Sequence, residues 1–217
     1  MAAELALTNP AARRPRTTTV TSRRLLAAVA VGVPPLVLAA VGVTHPSELN
    51  AETAAYWRDL HIGILAVFPL LGFAPWLIVR GHSLWLSWAA GVLGFVYAAF
   101  YSALDILAGI GSGGLEHAGH HDAIGVTFAL GDGIGLVGSV AYAAAALLAG
   151  GFAVRTVGPR ALPAAVLVAV GSVMFLAEHI FFPWGVIGQL ALAAGWVGLV
   201  IALRGVARVR EIDGGSR

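Results

Sequence analysis

LLAAVAVGVPPLVLAAVGV, residues 25–43, runs for 19 positions without a charge. That is close to the ~20 residues a helix needs to cross a ~30 Å hydrocarbon core. Five further apolar stretches follow, at 60–79, 84–110, 123–154, 161–182 and 184–203. Inside lipid every backbone polar group must be satisfied within its own segment, so each stretch reads as a helix. The expected fold is all-α, a polytopic transmembrane bundle of six spans over residues 23–204. Residues 1–22 read as a disordered cytoplasmic tail and 205–217 as a second cytoplasmic tail. Pro34 and Pro35 predict a kink in the first span. Pro69 and Pro75, with Gly63 and Gly72, predict a bent or mobile second span. The stretch 123–154 is long enough to tilt or project from the bilayer. Phe182-Pro183-Trp184-Gly185 marks the turn between the last two spans.

Composition agrees. Apolar residues make up 59% of the 217-residue chain and charged ones 11%, with mean hydropathy +0.86. A soluble domain carries about a quarter charged residues, so lipid is the expected solvent and partner. The absence of cysteine removes disulfides, thiolate metal sites and iron–sulfur clusters together. All 13 basic residues are Arg, and the net charge of +2 is too small and dispersed for nucleic acid.

The arginines give an orientation. Arg13, Arg14, Arg16, Arg23 and Arg24 precede the first span, and Arg80 lies between the second and third. Arg155 and Arg160 lie between the fourth and fifth, and Arg204, Arg208 and Arg210 follow the sixth, while the alternate loops carry only Arg58. The positive-inside rule then predicts both termini in the cytoplasm, and the Arg-only, Ala-, Gly- and Val-rich composition suggests a high-GC bacterium and hence its inner membrane. Ser22-Arg23-Arg24-Leu25-Leu26 also resembles a twin-arginine export signal, but no soluble domain follows it, so a retained first span is expected.

Ionisable groups within spans are costly unless paired, protonated or facing water, which makes function their default explanation. The candidates are His61, Asp105, Asp132, Glu178 and His179, with Tyr101 on the Asp105 face. The predicted topology puts them in the outer half: Asp105 about 8 Å from the outer end of its span and Asp132 roughly 14 Å deep. His45, Glu48, Glu52, Asp59, Glu116, His117, His120, His121 and Asp122 fall in outer loops, leaving His82 as the one cytoplasmic histidine. Tyr97, Tyr101 and Asp105 recur every four residues and share a helix face. Asp132, Gly135, Ser139 and Tyr142 form a second stripe, and Ser172 lines up with His179. These polar groups equally fit a role as interhelical glue.

The loop containing His117, His120, His121 and Asp122 has ligands that suit a divalent metal ion, and equally reads as a solvated connector. The letters Gly133 to Gly138 spell a dinucleotide fingerprint but lie inside a span with no preceding strand, so no nucleotide is expected. Gly131 and Gly135 instead have the spacing of a close helix contact.

Trp57-Arg58-Asp59-Leu60-His61 leading to Phe68-Pro69-Leu70-Leu71-Gly72, Tyr101-Ser102-Ala103-Leu104-Asp105, and Glu178-His179-Ile180-Phe181-Phe182-Pro183 resemble segments of small six-span membrane proteins from high-GC, actinobacterial-type bacteria. The resemblance covers residues 44–204 and implies no activity and no functional residues.

The expected function is an outward-facing His/carboxylate site that binds or transports a proton, metal ion or small solute. Six spans are few for a carrier unless it forms a homo-oligomer, and no internal repeat is visible. Three alternatives stay open: a b-type haem subunit ligated by His61 and His179, a metal-dependent membrane hydrolase, and an accessory protein for a membrane partner.

Overall fold

The computed structural model describes residues 17–214, with side chains for Ser22 and for 25–203, and is helical with no strand among the described residues. The longer helices are α1 (Thr17–Gly42), α2 (Ala54–Ile64), α3 (Phe68–Leu71), α4 (Phe73–Val79) and α5 (Leu84–Leu104). They continue with α6 (Ser112–His117), α7 (Ile124–Val157), α8 (Leu162–Glu178) and α9 (Trp184–Gly214). Of the tail expected at 1–22, residues 1–16 lie outside the described residues, while 17–22 begin α1. Residues 215–217 of the second tail also lie outside them, and α9 carries the helical backbone through the rest.

Four helical stretches are long and apolar enough to cross a membrane: Leu25–Gly42, Leu84–His117, His121–Glu178 and Trp184–Leu203. Helix α2 and the segment Phe68–Val79 pass the same test as a pair bent by 41°. The break falls just before Pro69, whose ring cannot accept a continuous helical ladder behind it. Helix α1, by contrast, runs on through Pro34 and Pro35. The 58-residue stretch His121–Glu178 would be roughly 87 Å long as one rod. Gly158 divides it by taking φ 74°, open to glycine at little cost, and α8 folds back against α7.

The outward surface is apolar: Trp85, Phe95, Leu147 and Val173 are all exposed. Large apolar side chains on the outside and small residues at the crossings are compatible with lipid as solvent. The α5–α7 crossing rests on Gly131, Gly135 and Gly138. A Cβ on Gly131 would press to 2.9 Å of Ala108 Cβ, one on Gly135 would overlap Leu104, and one on Gly138 would reach 3.0 Å from the Tyr101 nitrogen.

Beyond Leu104 the helix widens into a π-helical segment, Asp105–Gly111, before resuming as α6. The span expected to stop at residue 110 thus continues to His117 with its register changed at Asp105. The span expected over 161–182 ends earlier, at Glu178, and Phe181–Pro183 forms the turn into α9.

Replacing Gly135 by Val should destabilise the bundle by about 1–3 kcal/mol, because the crossing has no room for the side chain. Gly133, where a Cβ would meet nothing within 4 Å, is the control. Thermal melting in detergent should show Gly135→Val well below wild type and Gly133→Val unchanged.

Candidate metal centre

Helix α2 is fixed against the π-helical segment by close backbone approach. The indole Nε1 of Trp57 donates to the Ala108 carbonyl at 3.2 Å. A Cβ on Gly109 would overlap the His61 ring, and one on Gly113 would sit 2.9 Å from the Arg58 nitrogen. One turn after Trp57, His61 lies over Gly109, and its Nδ1 is 2.6 Å from the Trp57 carbonyl.

His45 arrives from the chain after α1. Gly42, at the end of α1, lies so near the Ile180 carbonyl that any Cβ would overlap it. The loop is thereby held beside the end of α8. There His45 stacks edge-on to Trp57 and Phe181, with ring centroids 4.8 and 4.6 Å apart. Its Nδ1 is 2.7 Å from the Pro46 carbonyl.

His179 closes the set. Helix α8 ends at Glu178, and His179 takes φ 52° and ψ −121°, the only non-glycine residue with positive φ among the described residues. That backbone costs an L residue of order 1–3 kcal/mol. It swings the imidazole off the α8 register and onto the Tyr101 hydroxyl, which meets Nδ1 in a short hydrogen bond. The expected alignment of Ser172 with His179 is therefore not what positions the ring, and the Ser172 hydroxyl donates to the Val168 carbonyl within α8.

The three imidazoles each present one nitrogen to a common point, all within 4.8 Å of one another. His45 and His61 are buried and His179 is partly so. Carbonyl oxygens only accept, so Nδ1 of both His45 and His61 carries the hydrogen. In the neutral ring Nε2 then carries a bare lone pair. These two Nε2 atoms face each other at 3.5 Å. Burial pushes the His45 imidazole below its ordinary pKa, with the Pro46 hydrogen bond opposing, so the neutral form is the one favoured. Two facing lone pairs are satisfied only by something electrophilic between them.

Asp105 stands behind this point. It is fully buried, neither carboxylate oxygen has a hydrogen-bond partner, and Oδ1 lies 4.0 Å from His61 Nε2. An ionised carboxylate so placed is costly without a nearby cation.

The other expected site residues sort differently. Asp132 and Glu178 are exposed and do not join the triad, but they line one cleft of about 320 Å³ with Tyr101 and His179. His117, His120, His121 and Asp122 are exposed, and His121 is engaged by the Glu116 carboxylate at 2.7 Å. The His45–His61–His179 triad is the one group of three metal-ligating side chains that converges among the described residues. Sequence reading placed His45 only among the outer loops. It also passed over Gln189, buried in α9 with its amide unpartnered. A larger groove of about 530 Å³ beside Trp76, Trp88 and Phe95 has no ionisable lining and is part of the apolar exterior. The chain matches no family model, no curated protein and no solved structure.

If His179 holds its backbone against strain, His179→Gly should relieve that strain while His179→Ala should not. The Gly variant is expected to melt above the Ala variant by about 2–4 °C, the shift expected for ~1 kcal/mol in a chain of this size. Equal melting temperatures would remove the strain argument.

Proposed function

We propose that this chain is a multi-pass bacterial inner-membrane protein that holds a divalent transition-metal ion, Zn²⁺ being the first to test, on His45, His61 and His179. The observation that carries the reading is the orientation of the rings. At His45 and His61 Nδ1 is committed to a backbone carbonyl and the two Nε2 atoms face each other at 3.5 Å. Nδ1 of His179 meets the Tyr101 hydroxyl, and one nitrogen of each ring lies within 4.8 Å of the others. Metal-bound histidines are held in this way, the outer hydrogen bond fixing tautomer and angle. Ideal Zn–N bonds of ~2.0–2.1 Å put tetrahedral ligand nitrogens about 3.4 Å apart. The His45–His61 pair at 3.5 Å already fits. The widest separation, up to 4.8 Å, closes with side-chain rotation. Asp105 supplies the balancing negative charge from just outside the ligand set. With no thiolate in the chain, imidazole and carboxylate select a zinc-, copper- or nickel-type ion rather than a soft one.

A six-span reading with both termini inside accounts for the placement. It takes α1, the bent pair from α2 to Val79, α5 with its π-helical extension, α7, α8 and α9 as the spans. Every member of the triad and Asp105 then lies towards the outer surface, with Arg80, Arg155 and Arg160 at the opposite one. Holding an ion is favoured over passing it through. Inward of the triad, Tyr97, Tyr101, Tyr142, Phe175 and Trp196 are all buried and in ring contact or hydrogen-bonded to one another. That packed aromatic layer disfavours a hydrated path inward. Haem ligation by His61 and His179 is disfavoured on steric grounds. Their rings are parallel within 8° at 6.5 Å, but His45 lies 5.1 and 5.9 Å from them, where a macrocycle would extend.

Full-length protein purified in detergent and dialysed against Zn²⁺ should retain one ion per chain by elemental analysis. His45→Ala, His61→Ala and His179→Ala should each abolish retention, whereas a His117→Ala/His120→Ala/His121→Ala variant should keep it. Tyr101→Phe, which removes only the outer hydrogen bond, should weaken zinc affinity about 10–100-fold. If the triad variants bind as wild type does, the metal reading is wrong. Should the wild type bind no metal ion yet take up a proton at this site, the facing nitrogens serve a proton instead.

A further inference from the structure

An ion held in this place has to reach it, and the walls around the triad are unequal. His45 is 7% exposed and His61 3%. The indole of Trp57 and the ring of Phe181 cover His45. Inward lies the aromatic layer. His179 is the partly exposed ligand, and it lines the cleft between α5, α7 and α8 together with Tyr101, Leu104, Ser139, Asp132 and Glu178. Both carboxylates are exposed at this cleft, and no Arg lines it. The remaining walls, including Leu136 and Phe175, are apolar. A concave surface of one sign with low-dielectric walls focuses its field and raises the local concentration of counter-ions.

We infer that this cleft is the loading route of the triad, with Asp132 and Glu178 drawing a hydrated divalent cation from the outer solution and delivering it to His179. The inference rests on the metal reading above. It gives a role to two exposed carboxylates set among the apolar side chains of α7 and α8, where acidic residues are rare. It also gives a direction to the negative charge in this part of the bundle. Asp132 and Glu178 stand at the mouth, and buried Asp105 stands behind His61 as the end point. His179 is the first ligand the ion meets, and its partial exposure allows the ring to turn towards the cleft. His45 and His61, locked by backbone carbonyls, complete the set.

The test is the rate of loading, measured with Co²⁺ by stopped-flow absorption on full-length protein in detergent. Asp132→Asn/Glu178→Gln should slow association about tenfold at low ionic strength, the lower end of the range for electrostatic steering. It should still bind one cobalt per chain, and the salt dependence seen for wild type should flatten. Leu136→Trp, which narrows the mouth without touching a ligand, should slow association and release together and leave affinity unchanged. Asp122→Asn, an exposed carboxylate on the neighbouring loop, should load as wild type does. Loading of Asp132→Asn/Glu178→Gln and Leu136→Trp at the wild-type rate would overturn the route while leaving the metal centre standing, as would equal slowing by Asp122→Asn. Failure of the wild type to bind cobalt at all, or undiminished binding by His61→Ala, would overturn the metal centre and the route with it.

Discussion

The arrangement around the three histidines turns on two nitrogens that have no hydrogen to share. Nε2 of His45 and Nε2 of His61 are 3.5 Å apart, and each ring has its hydrogen on the far side, donated to a carbonyl. Left so, the pair is two lone pairs in contact, shielded from water, with a partnerless carboxylate 4.0 Å further on. Buried polar atoms in proteins are nearly always satisfied, and one hydrogen bond too few is ordinarily relieved by rotating a side chain. Here rotation carries its own cost. Turning His61 would forfeit the Trp57 carbonyl, and turning His45 would forfeit Pro46 and its packing on Trp57. A positive charge at the centre relieves all of these at once, including Asp105, and this is why the metal reading outranks interhelical glue.

The helices are shaped to bring those rings together. Contacts at Gly42, Gly109 and Gly113 let backbone, rather than side chain, meet backbone or ring. Each therefore sets a distance that side-chain motion cannot absorb. The π-helical turn from Asp105 to Gly111 has a related effect. An i→i+5 segment widens the helix, and its Ala108 carbonyl accepts from the Trp57 indole. The same widening occurs at the residue whose carboxylate faces His61. Segments of this kind cost stability relative to a regular helix and are found most often where function requires the displaced residue.

The helices were largely legible in the sequence, because an uncharged apolar run of about 20 residues suits a helix that can cross lipid, and four such helical stretches stand among the described residues. The breaks were legible where a residue forces them, as at Pro69. The division at Gly158 was legible as well, because Arg155 and Arg160 interrupt the apolar runs 123–154 and 161–182 there. Of the centre, His61 and His179 stood out because a histidine in an apolar run is conspicuous, and Asp105 for the same reason. His45 did not, since a histidine in a polar loop is unremarkable until a distant contact, Gly42 on Ile180, fixes where the loop lies. Helical periodicity misplaced His179, because it assumes the helix continues, whereas the residue sits one step past the end in a conformation no period describes. Gln189 went unnoticed because a neutral amide does not register in a search for charge.

The same reasoning separates the acids that sequence had grouped together. Asp105, Asp132 and Glu178 are each a carboxylate within an apolar helical stretch, and sequence alone gives them one role. Burial divides them. Asp105 is buried with no hydrogen-bond donor, so it stays ionised only next to a cation and otherwise takes a proton. Ionised, it stabilises a bound ion but does not attract one from solution. Asp132 and Glu178 keep contact with the exterior, so their charge carries little desolvation cost and acts outward, along the cleft that reaches His179. A carboxylate behind the ligands and two before them form a gradient rather than a cage. Such a gradient favours an ion that arrives and stays over one that crosses. The packed tyrosines and tryptophan beside the triad are the counterpart of that asymmetry, since a conducting path would need polar, hydrated walls where Tyr97, Tyr142, Phe175 and Trp196 close against each other.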